Sequence, residues 1–142
     1  MAHNKKDMSQ SVVILPNMGP SLDVSQHMLT AIPPQILQLR NLTQLILNSN
    51  RLSEFPYELA SLPSLAVLGL AWNQITQVDD RLAGFKSNLG SLDLSFNGLT
   101  ILPRCIGELA SLHTLNLHDN KLHALPDSIG QLSKLVLPAR RL

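Results

Sequence analysis

The sequence is poor in cysteine and in charge of either sign. Cys105 is the only cysteine among 142 residues, so an intrachain disulfide is impossible and a reducing, cytoplasmic setting is expected. The formal net charge is +1 with 15% charged residues, which gives no overall field to attract nucleic acid. No run approaches the roughly 20 apolar residues of a membrane span. The apolar run from Val12 to Leu15 is also shorter than the roughly 7–15 residues of a signal-peptide core.

Aromatic residues are also scarce, at 4% of a chain that is 44% hydrophobic, so the apolar content is mostly aliphatic. Much of it falls into the pattern Leu-x-x-Leu-x-Leu-x-x-Asn-x-Leu. The pattern begins at Leu42, Leu65, Leu89 and Leu112, with a period of 23 residues and one extra residue before Leu89. A fixed period of this length indicates a solenoid, in which each unit buries its apolar side against its neighbours.

The repeat units can be numbered from their first Leu. Positions 1, 4, 6, 11, 14, 18 and 21 are apolar, position 9 is Asn and position 15 is usually Pro. The third unit departs at position 15, where Asp79 replaces Pro and is expected to cap or open the return. The first unit has Gly19 for the leading Leu and His27 for the Asn. The predicted units are 19–41, 42–64, 65–88, 89–111, 112–134 and a partial 135–142, preceded by an N-terminal segment, 1–18, in which Val12 to Leu15 form a candidate cap.

The spacing within a unit predicts a strand, a turn and a short helical return. Positions 4 and 6 alternate around an exposed position 5, as in a strand. Pro at position 15 suits the start of a helix, and positions 18 and 21 share one helical face. The expected fold class is an α/β solenoid with a parallel β-sheet on the concave face and short helical or 3-10 returns on the convex face.

The Asn at position 9 sits where the chain leaves each strand. Its amide both donates and accepts, so a buried column of Asn side chains is expected to satisfy backbone groups of the turns. His27 is expected to make some of the same hydrogen bonds in the first unit. The predicted column consists of Asn50, Asn73, Asn97 and Asn120.

These residues resemble the leucine-rich repeat family over about residues 19–137. The 23-residue length and the Leu-Pro-x-x-Ile-x-x-Leu return are similar to its intracellular branch, which includes Ras-suppressor, Scribble and plant Ras-group-related repeat proteins. The resemblance implies a non-catalytic adaptor or scaffold in intracellular signalling that binds protein on its concave face. The partner class it implies is a small GTPase, a kinase or a phosphatase.

The concave face of this architecture displays positions 2, 3, 5, 7 and 8. Trp72 and Phe96 share position 8 in successive units and are expected about 5 Å apart, either as a docking patch or as a shield for the edge turns. These positions contain Asp23, Asp93 and Asp119 but no Lys or Arg, which favours a neutral or basic protein segment over nucleic acid. The predicted partner-contacting residues are Ile46, Asn48, Val67, Trp72, Asp93, Phe96, Asn116, His118 and Asp119.

No arrangement of residues predicts catalysis, a metal or a cofactor. His113 and His118 should lie roughly 15 Å apart along an extended strand, too far to share a zinc ion, and His123 lies beyond the turn. Cys105 has no His at a predictable distance to act as its base. The sequence contains no phosphate-binding Gly loop and no nucleophile elbow.

Two other functional hypotheses stay open beside the adaptor. The chain could be an incomplete repeat segment of a longer leucine-rich repeat protein, or a substrate-recognition subunit of a ligase or phosphatase complex. At the C-terminal end, Leu135, Val136 and Leu137 begin a strand that Pro138 interrupts, and no segment comparable to residues 12–15 caps the last unit. An uncapped end exposes an apolar face, so self-association through this C-terminal edge is also predicted.

Overall fold

The computed structural model describes Ile14 and residues 19–136. Within them, the repeats build one parallel sheet in which five strands follow each other in chain order. Each strand has three residues, and the central Leu of each points into the core. The strands are β1 (Ser21–Asp23), β2 (Gln44–Ile46), β3 (Val67–Gly69), β4 (Ser91–Asp93) and β5 (Thr114–Asn116).

Equivalent positions of the repeat lie side by side in the sheet. Leu45 pairs with Leu22 on one side and Leu68 on the other, and Leu92 pairs with Leu68 and Leu115. The extra residue of the third unit does not disturb this register, because it falls in the return before β4. The predicted parallel sheet is therefore confirmed.

The chain returns from each strand to the next through a short 3-10 helix. The helices span Pro34–Gln38, Tyr57–Ser61, Asp80–Phe85, Arg104–Glu108 and Asp127–Gln131. Segments of five or six residues are too short for a cooperative α-helix, so the tighter 3-10 geometry is favoured. A Pro directly precedes four of these helices, one residue earlier than a first-turn position. In the third unit Asp79 replaces this Pro and caps the helix, as its side chain accepts a hydrogen bond from the Arg81 backbone N–H.

A single aliphatic core runs the length of the described solenoid between the sheet and the returns. Its Leu and Ile side chains are most completely buried in the middle units, as Leu68 and Leu92 illustrate. Towards the C-terminal end the packing loosens, since Ile129 and Leu135 are only half-buried. This gradient is expected where a unit has a neighbour on one side only.

The two ends of the chain are described only in part. The candidate cap at residues 12–15 lies outside the described residues except for Ile14, which is half-buried and packs against the core. Of the partial sixth unit only Leu135 and Val136 are described, and the Val136 N–H donates to the His113 carbonyl at 3.0 Å. That bond repeats the one from Gly90 to Ala66. No helix among the described residues is both long and apolar enough to cross a membrane.

Candidate functional site on the concave face

The backbone has a left-handed conformation at position 8 in all five units. The φ angle there lies between 54° and 59°, at Gln26, Ser49, Trp72, Phe96 and Asp119. This region costs a non-glycine residue about 1–2 kcal/mol and is more readily occupied by Gly, Asn or Asp. The sequence did not reveal this turn, because large aromatic residues are not typical of it. Every position-8 side chain therefore projects from the same sharply turned backbone, three residues beyond the end of its strand.

The Asn residues at position 9 lock each turn to the preceding unit. The Asn97 amide donates to the carbonyls of Leu94 at 3.1 Å and Leu70 at 2.9 Å, the latter in the preceding unit. Its Oδ1 accepts the Ile75 backbone N–H at 2.9 Å. Asn50, Asn73 and Asn120 repeat this arrangement in their own units.

The expectation that the whole Asn column is buried is wrong. Asn50 is buried, whereas Asn73, Asn97 and Asn120 are half-buried, because the left-handed turns lie at the edge of the sheet. His27 replaces Asn in the first unit, and its Nδ1 contacts the Ser25 carbonyl at 2.6 Å. It thus makes one of the contacts that the Asn side chains make, as predicted.

Trp72 and Phe96 form a parallel stack at the surface. Their ring centroids lie 3.9 Å apart with 7° between the planes, closer than the 5 Å expected from strand spacing alone. Trp72 is 57% exposed, so the indole does not fill any interior space. An indole so exposed does little shielding, and the stack offers a flat aromatic surface to the solvent.

The stack of Trp72 and Phe96 continues into the fifth unit through His118. The imidazole of His118 lies 5.2 Å from the Phe96 ring at 87°. Its Nδ1 contacts the Asp119 carboxylate at 2.8 Å. Units three to five thus present an indole, a phenyl ring and an imidazole–carboxylate pair in sequence, and Phe96 has a ring on either side. We call these four residues, Trp72, Phe96, His118 and Asp119, the aromatic row.

Both acidic residues at position 5, Asp23 and Asp93, support the backbone as well as facing the solvent. Asp93 Oδ1 accepts hydrogen bonds from the Ser95 N–H at 2.9 Å and from the Ser95 hydroxyl at 2.7 Å. Asp23 Oδ1 accepts the Ser25 N–H at 2.9 Å in the same way. The Ser25 hydrogen bonds hold the pKa of Asp23 below its ordinary value, with a smaller contribution from the charge of His27. The Asp-x-Ser sequence, which is typical of an Asx-turn, could have indicated this role.

Position 5 of the third unit is Gly69, which has no side chain to accept a hydrogen bond. The second unit supplies the acceptor instead. Asn48 Oδ1 crosses to accept the Ala71 backbone N–H at 2.9 Å. A Cβ on Gly69 would lie only 2.9 Å from that oxygen, so the absence of a side chain makes the crossing possible. Asn116, also predicted to face a partner, accepts the His118 N–H at 3.4 Å.

The apolar residues around the Trp72–Phe96 stack expose little surface to the solvent. Ile46 and Val67 are half-buried, while Gly69 and Ala71 are buried and add little to the surface. Within the five complete units, the most exposed large apolar side chain at a concave position is therefore Trp72, with the half-buried Phe96 beside it.

A second cluster of side chains lies where the second and third 3-10 helices begin. The Arg81 guanidinium lies 4.0 Å above the Tyr57 ring and makes two hydrogen bonds to the Asp79 carboxylate, at 3.0 and 2.9 Å. These bonds lower the pKa of Asp79 to about 2. The Tyr57 hydroxyl accepts the Asp79 backbone N–H at 2.8 Å, a donor that Pro would lack. The cluster borders an open depression of about 420 Å³ and explains how the third unit tolerates the loss of Pro.

The profile of the leucine rich repeat family matches residues 21–75 and 65–122, which together span most of the chain. The chain belongs to the leucine-rich repeat family. Leucine-rich repeats commonly mediate protein–protein interaction and are typically non-enzymatic binding modules.

Similar proteins include two from Dictyostelium discoideum. A probable inactive serine/threonine-protein kinase, roco10, is 36% identical over 102 residues, and Ras guanine nucleotide exchange factor V is 39% identical over 80 residues. The matches cover 69% and 48% of this chain but only 4% of each relative. The kinase similarity concerns the repeat region alone, so it carries no kinase chemistry to this chain.

Solved structures of bacterial repeat proteins share the fold. A Leptospira interrogans leucine-rich repeat protein superimposes with a TM-score of 0.71 at 33% identity, covering 91% of this chain and 38% of that protein. Internalin C2 from Listeria monocytogenes gives 0.72 at 24% identity, covering 86% and 51%. At that identity the second similarity shows the fold alone.

Proposed function

We propose that this leucine-rich repeat protein is a non-catalytic adaptor or scaffold that binds a partner protein on its concave face, centred on the aromatic row. The observation that carries the proposal is the exposed stack of Trp72 on Phe96. Exposed aromatic clusters rimmed by polar groups are typical of protein interaction sites, and Trp is enriched among the residues that dominate binding energy.

Apart from the stack that the two rings make with each other, the fold gives no reason of its own for these aromatic side chains. Ser49 and Asp119 occupy the same left-handed position in neighbouring units without an aromatic ring. Trp72 is disfavoured by this backbone and remains more than half exposed, so burial in the core offers no compensation. Binding to a partner protein would supply that compensation.

Other predicted contact residues surround the aromatic row. Ile46 and Val67 are half-buried on its second- and third-unit side, and Asp93 and Asn116 lie on β4 and β5. We include them in the proposed surface, although Asp93, Asn116 and Asn48 also hold backbone N–H groups. Their substitution would affect the turns as well as the partner.

The relatives suggest a cytoplasmic signalling setting. Their names describe a Ras exchange factor and kinases, which supports a small GTPase or a kinase as the partner class, and a phosphatase is the third class that we propose. We also retain the intracellular 23-residue branch and self-association through the C-terminal edge as proposals; light scattering would test the latter.

A second candidate function is a recognition segment that works within a longer leucine-rich repeat protein. The observation in its favour is the share of the relatives that the chain spans, 4% of the first two curated proteins and 38–51% of two of the solved structures. A longer reading frame in the transcript would support it.

The test of the concave surface is capture of partners from cell lysate by the full chain. The double variant Trp72→Asn with Phe96→Asn should reduce recovered partner by about tenfold or more, because Asn suits the left-handed turn but removes both rings. The matched control is Ile101→Asn, since Ile101 is 67% exposed but lies outside the concave positions. Both variants must retain the circular dichroism of the wild type. Equal capture by the folded double variant would refute the proposal.

A further inference from the structure

Trp72 has only one face available for a ligand. Phe96 covers the other face in a parallel stack at 3.9 Å. The uncovered face looks away from Phe96, towards the second unit, where position 8 is the small residue Ser49, and none of the rings in the described part of the chain stacks on that face. The indole is 57% exposed, so this face forms an accessible flat surface beside the turn that follows β3.

The ring geometry suits a planar ligand group and excludes an aromatic cage. A cage needs rings around a cation, but Trp72 and Phe96 are parallel and in contact, and His118 occupies the far side of Phe96. A methylated ammonium would therefore find one wall only. A guanidinium group is planar, stacks on an indole face and is less strongly hydrated than an ammonium group.

The charges around this face favour a cation. Concave positions 2, 3, 5, 7 and 8 contain no Lys or Arg in any of the five units. Asp23 lies on the open side of Trp72, and Asp93 and Asp119 lie on the Phe96 side. The Ser25 hydrogen bonds hold the pKa of Asp23 below its ordinary value, and both Ser95 bonds to Asp93 use Oδ1, which leaves Oδ2 for other contacts.

We propose that the uncovered face of Trp72 binds an arginine side chain from an extended basic segment of the partner protein, with Asp23 receiving a second basic side chain. This inference rests on the proposed function and names the chemistry of the partner. The charge complementarity of the face and the single flat ring surface carry it.

The geometry also sets the spacing of the basic residues. Asp23 lies at position 5 on β1, two strands from Trp72's unit, and strands are about 4.8 Å apart, so the separation across the sheet is about 10 Å. Trp72 lies three positions further along its own unit, which adds about 10 Å in the strand direction and places the two side chains about 14 Å apart. An extended segment advances about 3.3 Å per residue. The second basic residue should therefore lie about four positions from the arginine, a spacing that also keeps both side chains on the same face of an extended segment.

The test uses synthetic peptides and the intrinsic fluorescence of the protein. Trp72 is the only Trp, so its emission senses the proposed site directly. The probe is Ac-Gly-Arg-Gly-Gly-Gly-Arg-Gly-NH2, compared with versions in which both arginines become lysine, citrulline or glutamate. We expect saturable fluorescence change with the arginine peptide, affinity lower by about threefold or more with lysine, and no binding with citrulline or glutamate.

Two matched variants separate the charge from the fold. Asp23→Asn removes the charge but keeps the oxygen that accepts the Ser25 N–H, and it should weaken arginine-peptide binding at least about threefold at low salt. Asp127→Asn removes an exposed charge in the last return and should leave binding unchanged.

The two proposals fail in distinguishable ways. If citrulline or glutamate peptides bind as well as arginine, or if the arginine peptide does not bind at millimolar concentration while partner capture still depends on Trp72, the cation inference is wrong and the docking surface stands. If partner capture is independent of Trp72 and Phe96, the docking surface itself is wrong.

Discussion

Positions 8 and 9 of the repeat form two neighbouring columns on the same backbone turn, and they differ in how much the side chain varies between units. At position 9 four of the five units have Asn, and each makes the same set of hydrogen bonds to its own and the preceding unit. At position 8 the backbone is equally uniform, but the side chains are Gln26, Ser49, Trp72, Phe96 and Asp119. A repeating backbone therefore constrains one side chain strictly and leaves its neighbour free, and the free column is where function can be placed.

The difference follows from where each side chain points. The Asn amides turn towards backbone carbonyls that no strand partner reaches, so their loss would leave those groups unpaired. Trp72 points to solvent, and no described side chain other than Phe96 stacks on it. Constancy in a repeat protein thus indicates a role in the fold, whereas an unusual residue in a variable column indicates a role in binding.

The largest expected effect comes from breaking the constant column. Asn97→Ala removes the amide donors to Leu70 and Leu94 and leaves the Ile75 N–H without its acceptor. Losing these bonds at a half-buried site should lower the free energy of unfolding by about 3 kcal/mol. Urea denaturation followed by Trp72 fluorescence measures it.

The matched control for this substitution is Asn41→Ala, at an exposed Asn outside the column. Its free energy of unfolding should stay within about 0.5 kcal/mol of the wild type. If both variants lose the same small amount, the Asn column does not hold the turns together, and the contrast between positions 8 and 9 disappears.

The sequence predicts the constant features well, because they repeat. The register that aligns Leu45 with Leu22 and Leu68 follows directly from the period, and so does the juxtaposition of Trp72 and Phe96. A feature present in every unit leaves a periodic signal that propensity and spacing can detect.

The features that the sequence did not reveal are local exceptions. The left-handed turn at position 8 was hidden because Trp and Phe are atypical of that conformation. The bond from Asn48 to Ala71 depends on the missing side chain of Gly69, an arrangement made once between two units. Such contacts have no period, so only the three-dimensional structure shows them.

An intermediate effect is expected where a variable position has acquired a structural role. Gly69→Ala places a Cβ 2.9 Å from Asn48 Oδ1 and 3.2 Å from Ile46 Cδ1, so the Asn48 side chain must leave the Ala71 N–H. We expect the free energy of unfolding to fall by about 1–2 kcal/mol, through the lost hydrogen bond and the crowding. Urea denaturation measures the change in the free energy of unfolding, and the NMR chemical shift of the Ala71 amide reports the loss of the hydrogen bond.

The comparison variant is Gly130→Ala, since a Cβ at Gly130 would meet nothing within 4 Å. This change should leave stability unchanged or raise it by up to about 1 kcal/mol, because Ala restricts the unfolded chain. If Gly69→Ala left stability unchanged as well, the hydrogen bond from Asn48 to Ala71 would not contribute to the fold. Asn48 could then contact the partner only, and position 5 would have no structural role in the third unit.

The smallest expected effect is on the stability of the variable column itself. Trp72→Asn removes a stack worth about 0.5–1.5 kcal/mol but places at the left-handed turn a residue that relieves about 1 kcal/mol of strain. The free energy of unfolding, followed by circular dichroism because the only Trp is gone, should therefore change by less than about 1 kcal/mol. Ser49→Asn makes the same backbone change where no stack is lost, and it should raise stability slightly. A loss above about 2 kcal/mol for Trp72→Asn would mean that the indole serves the fold, and the reason for assigning it to a partner would be gone.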